Sequence, residues 1–141
     1  MNTSHMIFCF GSNLGGIHDA GAARFAYQQR GALPGIGVGH FGQSYAIPTK
    51  GIKRARGKRH NYQIGDTLSL NVIRQYVDEF LEYADHHQEL EFQVTCIGCG
   101  LAGLKHEDVA PMFENAPMNC FFDEAWRPYL VKASHRFWGS F

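Results

Sequence analysis

A chain of 141 residues with 45% hydrophobic and 18% charged residues can build one packed core but not two, and its composition is not that of a disordered segment. Thirteen basic residues balance thirteen acidic ones, so net charge does not call for a polyanionic partner. No apolar run nears the roughly 20 residues of a membrane span, and no basic stretch with a long apolar core opens the chain. A cytoplasmic location with reduced thiols and no membrane partner is therefore expected.

In chain order, Ser4-His5-Met6 reads as a cloning scar, with residues 1–5 a tag remnant. Met6–Phe10 is a short apolar run that reads as a buried strand stopping at Gly11. Gly11–His18 is a glycine-rich loop, after which Asp19 stands where it can N-cap a helix over Ala20–Arg30. Gly31–Gly42 holds five glycines and Pro34 and reads as irregular; Ser44–Pro48 reads as a strand closed by its proline. Thr49–Gly65 lacks periodicity and reads as an exposed loop, with six of the 13 basic residues between Lys50 and Arg59. Ser69 caps a helix to about His87, since Leu70, Ile73, Val77, Phe80, Leu81 and Ala84 share one face. Then come a strand over Phe92–Ile97, a glycine loop over Gly98–Gly103, a short helix over Glu107–Asn115 and a strand over Asn119–Phe122. Glu124–Phe141 is aromatic and less regular, a covering segment or a partner surface. Strands alternating with helices predict one α/β domain over residues 1–141: a three-layer α/β/α sandwich around a mostly parallel sheet.

Two segments repeat one design, strand then glycine loop then helix: Phe8-Cys9-Phe10 into Gly11-Ser12-Asn13, and Val94–Ile97 into Gly98–Gly103. In open α/β sheets ligands bind beyond the carboxyl ends of strands, and helix N-termini offer unpaired N–H groups that suit phosphate. The pair can therefore grip a pyrophosphate from two sides, or the glycines can simply make tight turns. Gly98-Cys99-Gly100-Leu101-Ala102-Gly103 fits the dinucleotide fingerprint G-x-G-x-x-G, but the 38 residues that follow are too few for such a domain. Cys96-x-x-Cys99 is half of a zinc motif with no second C-x-x-C, so neither a metal nor a resident cofactor is expected.

Gly11-Ser12-Asn13-Leu14 followed by His18–Ala23, then Gly42–Thr49, then Ile97–Gly103, resembles in order and spacing the macro-domain family, over roughly Met6–Phe122. That family binds ADP-ribose, and some members hydrolyse ADP-ribosyl bonds or phosphate esters. The resemblance implies that Asn13 sits by the distal ribose, orienting a water or hydroxyl, with Asp19 assisting if the protein is catalytic. It implies that the amides of Asp19, Ala20, Gly21 and Ala22 face one phosphate, with Gly11 and Ser12 among the ligand-binding residues of the first motif. Gly98, Cys99, Gly100, Leu101, Ala102 and Gly103 would wrap the diphosphate, and Phe122 would stack on a base or else pack in the core. The chain departs from the family in lacking its upstream adenine-reading acid, and in placing Ala102 where an aromatic residue covers the distal ribose. Three functions compete: a protein that binds ADP-ribose or a related NAD-derived nucleotide diphosphate, with hydrolysis of ADP-ribosyl bonds or esters as its catalytic form; a non-catalytic binder of a free nucleotide signal or of an ADP-ribosyl mark on a macromolecule; and a nucleic-acid module using Lys53, Arg54, Arg56, Lys58 and Arg59 in the basic loop 50–59.

Overall fold

The run Ile7–Phe10 alternates between the apolar clusters on the two faces of one sheet, and this alternation organises the chain. The computed structural model describes residues 1–54 and 62–141. Strand β1 (Ile7–Asn13) sends Ile7 and Cys9 into one apolar cluster and Phe8 and Phe10 into another, as period-two geometry requires. Helix α1 (Gly21–Gln29) packs Ala23 and Ala26 on Phe8 and Phe10. Strands β2 (Gly39–Phe41), β3 (Ser44–Arg54) and β4 (Tyr62–Thr67) follow. Helix α2 (Leu70–Asp85) lays Ile73, Val77, Phe80 and Ala84 against the face that carries Cys9, Ile47, Phe92 and Phe122. Its cap is the expected one: the Ser69 hydroxyl accepts from Val72 N at 3.3 Å.

Strand β5 (Phe92–Val94), the one-turn helix α3 (His106–Val109), β6 (Cys120–Asp123) and β7 (Arg136–Gly139) complete the order. The fold is α/β, with a mostly parallel mixed sheet of seven strands and three helices among the described residues. The sheet runs β2-β3-β1-β5-β6-β7, with β4 paired to β3. The pairs β1·β3, β1·β5, β5·β6 and β6·β7 are parallel, so these strands end along one edge of the sheet; β2 and β4 run antiparallel to β3. No helix among the described residues is long and apolar enough to cross a membrane.

Four expectations need correction. Asp19 does not cap α1: the cap position is Ala20, and Gly21 enters at φ +58, so the first turn has no side-chain acceptor. Within the segment expected to be a loop over Thr49–Gly65, the described residues are instead strand: β3 continues past Pro48 to Arg54 and pairs antiparallel with β4 from Tyr62. Arg56, Lys58 and Arg59 lie outside the described residues. The short helix over Glu107–Asn115 is α3 followed by a 3-10 turn at Ala110–Phe113, since Pro111 has no N–H for an α-helical bond. Finally, the tail is not wholly irregular, because β7 extends the sheet.

Candidate functional site

The carboxyl ends of β1 and β5 lie side by side, and the backbone has to leave both strands without filling the space beyond them. At the end of β1, Asn13 folds the loop onto itself: its Nδ2 donates to Ile17 O at 2.9 Å and its Oδ1 accepts from Ile17 N at 3.0 Å. Ser12 Oγ donates to Gly37 O, bringing the 31–42 segment against this loop. That approach demands glycine, since a Cβ on Gly37 would overlap Asn13 O. At the end of β5, Thr95 Oγ1 donates to Cys9 O at 2.8 Å, and on the other side of β1 Thr49 Oγ1 donates to Ser12 O at 3.2 Å. These two hydroxyls pin three strand ends into a common floor.

The second loop then closes in successive turns, with Cys99 N to Cys96 O at 3.0 Å, Gly103 N to Gly100 O at 3.0 Å and Leu104 N to Gly98 O at 2.9 Å. Among the described residues this leaves the N–H groups of Gly100, Leu101 and Ala102 without a backbone acceptor, and the first-turn amides of α1 are likewise uncapped. Between the two loops is a cavity of about 530 Å³, within the usual range for a small-ligand site.

Twelve residues singled out from sequence line this cavity: Gly11, Ser12, Asn13, Asp19, Ala20, Gly21, Ala22, Gly98, Cys99, Gly100, Leu101 and Ala102. Gly103 and Phe122 do not line it. Gly103 lies just past the loop, holding φ +72 for the exit turn. Phe122 is 1% exposed and packs edge-on to Phe113 at 5.9 Å and beside Trp126 at 6.3 Å, so it is a core residue and offers no face to a base.

The aromatic residue among the described lining residues is instead Phe141, whose ring packs against Phe8 at 5.5 Å and Phe25 at 5.4 Å. It comes with Asp123, a buried carboxylate at the end of β6 whose oxygens accept from Ala125 N (2.9 Å), Ser140 Oγ (2.9 Å) and Phe141 N (3.1 Å). On the opposite flank, Lys50 is the cation among the described lining residues, joined by Ile64 from β4. None of Lys50, Asp123 or Phe141 belongs to a glycine motif; the sequence marks Lys50 only as the start of a basic run and Phe141 only as the end of an aromatic tail, and Asp123 lies one residue past the expected strand.

From β3 to β6 is three strand spacings, or about 14 Å across the edge. The site is therefore elongated, with Lys50 on one flank, two amide-bearing loops at the centre, and Asp123 with Phe141 on the other flank. Most polar side chains in it are already engaged with the protein, as the bonds of Ser12, Asn13, Thr49, Thr95 and Asp123 show. The thiols are poor nucleophiles, because burial pushes Cys96 up to about 12 and Cys99 up to about 11. Asp19 is exposed at the rim.

Comparison with protein-family models, curated proteins and solved structures found no match to this chain.

Proposed function

We propose that this chain binds ADP-ribose, or a closely related NAD-derived nucleotide diphosphate, as a receptor rather than as a hydrolase, on a macro-domain-like three-layer sandwich. The observation that carries the reading is that two segments whose backbone N–H groups have no acceptor among the described residues, Gly100–Ala102 and the first turn of α1, line one cavity at a strand-end edge. Such amides supply fixed partial positive charge to a phosphate, and the macrodipole of α1 adds to it. Lys50 reinforces that charge from the β3 flank. A diphosphate at the centre leaves a base against Phe141 on one side and a distal ribose toward Asn13 and Lys50 on the other.

The preference for binding over hydrolysis rests on Asn13. Both ends of its side chain are committed to Ile17, so it serves first to hold the loop shut. The titratable pair at hydrogen-bond reach among the described lining residues is Cys96 with Asp123, and burial together with that carboxylate keeps the thiol protonated, so the pair supplies no thiolate nucleophile near neutral pH.

The test is amide NMR with ADP-ribose. The N–H signals of Ala20–Ala23 and Gly100–Ala102 should move together and saturate at one affinity, with no loss of ADP-ribose from the tube over hours. Movement of surface amides only would sink the binding site. Turnover of an ADP-ribosyl ester that disappears in Asn13→Ala would restore the hydrolase.

A further inference from the structure

Strands β3 and β4 give the cavity one flank through Lys50 and Ile64, and their antiparallel pairing continues beyond it to Arg54 and Tyr62. Its register pairs Ile52 with Ile64 and Arg54 with Tyr62. Residues two apart on a strand share a face, so the Arg54·Tyr62 pair is one step beyond the Ile52·Ile64 pair on the same side, about 6.8 Å along the strand. That side is the one turned to the site. Ile64 lines the cavity, and Ile52 packs so closely on the first loop that a Cβ at Gly15 would lie 2.7 Å from its Cγ2. Tyr62 is 56% exposed and Arg54 is also exposed. An exposed tyrosine ring beside a guanidinium adds little to folding. Together they provide a stacking surface and a phosphate contact, the combination that single-stranded nucleic acid requires.

We infer that the Ile52–Arg54 and Tyr62–Ile64 face is a docking strip for the single-stranded polynucleotide that carries the nucleotide bound in the cavity. This rests on the ADP-ribose reading above. The strip begins on the Lys50 flank, where that reading puts the distal ribose, which is the point of attachment to a macromolecule. Continuity from Lys50 to Arg54 gives a cationic path along one strand. An acidic peptide would use the cations but not the Tyr62 ring, which is why nucleic acid is the favoured partner.

The experiment uses the full chain with a fluorescent 12-mer of single-stranded DNA, read by anisotropy from 50 to 200 mM salt, and with free ADP-ribose read by calorimetry. Wild type should bind the 12-mer with affinity that falls with salt. Arg54→Gln should flatten the log–log salt slope by about 0.7, one single-strand phosphate contact. Tyr62→Ala should weaken binding about tenfold without changing the slope, the effect of losing one stacked base. Both variants should bind ADP-ribose as wild type does, which also shows that they are folded. Absence of 12-mer binding alongside intact ADP-ribose binding overturns the strip. Equal binding of a poly-glutamate peptide, insensitive to Tyr62→Ala, overturns it in favour of an acidic protein. Loss of ADP-ribose binding in wild type, with 12-mer binding and both variant effects intact, overturns the cavity reading and supports the strip on its own.

Discussion

Gly98 and Gly100 are two residues apart in one loop, yet alanine should act on them in opposite directions. Gly98 holds φ +76, where an L side chain costs roughly 1–2 kcal/mol. A Cβ there would also meet Leu104 Cδ1 at 2.8 Å and Thr49 Cγ2 at 3.2 Å. Leu104 can swing away, but Thr49 is held by its bond to Ser12 O, so crowding adds about 1 kcal/mol. Gly98→Ala should therefore cost about 2–3 kcal/mol and, at about 3 °C per kcal/mol for a domain of this size, lower Tm by about 6–9 °C. At Gly100 a Cβ would meet no atom within 4 Å, and the backbone has no left-handed φ. Alanine there should leave stability unchanged or raise it by about 0.4–1 kcal/mol, through the lower entropy of the unfolded chain. The methyl would stand in the cavity, so Gly100→Ala should weaken ADP-ribose while the fold holds. Differential scanning calorimetry on both variants is the assay. Equal destabilisation by the two would refute the loop geometry, and with it the claim that the amides of Gly100–Ala102 face open space.

Other perturbations separate structure from site. Gly37→Ala should prevent folding or cost more than about 3 kcal/mol, because its Cβ would strike Asn13 O, a backbone atom; a normal circular dichroism melt would contradict this packing. Phe122→Ala should cost about 3–5 kcal/mol, as a buried aromatic does, without changing affinity per folded molecule. Lys50→Met should weaken ADP-ribose and reduce the salt dependence of its binding, with Tm little moved, as paired titrations at low and high salt would show. Cys96 and Cys99 hold their protons up to about 12 and about 11, whereas an unfolded thiol releases its proton near ~8.5. Their contribution is then complete below about pH 8.5 and is lost as pH rises toward 11–12, so Tm should fall through that window, less steeply in a Cys96→Ser/Cys99→Ser variant.

The parts of the fold legible in sequence are those with a strong period or a strong stop. Helix α2 shows a clean apolar face and a serine cap, and both cavity loops announce themselves as glycines after apolar runs. The β3·β4 pairing is not legible because its far end is exposed: Lys53, Arg54, Tyr62 and Gln63 bury no face, so no hydrophobic alternation marks it as strand. Strand β7 is hidden for a related reason, since Arg136–Gly139 is a half-exposed edge, recognisable only by its pairing with β6. In the site, local sequence locates the two loops but not the flanks. Lys50 and Phe141 reach the cavity through the order of strands in the sheet, which brings together residues far apart in the chain. The strand-end position of Phe122 suggests a ring on the site, but the parity of β6 turns it into the core and leaves Asp123 facing the cavity.

Calorimetric titration of the purified chain with ADP-ribose, with AMP and NAD as comparators, tests the central claim most directly. The two-loop site predicts one ligand per chain, micromolar affinity for ADP-ribose, and AMP weaker by at least about tenfold, because AMP lacks the diphosphate that the loops are built to hold. No heat with ADP-ribose at millimolar concentration, or equal affinity for AMP, would contradict it.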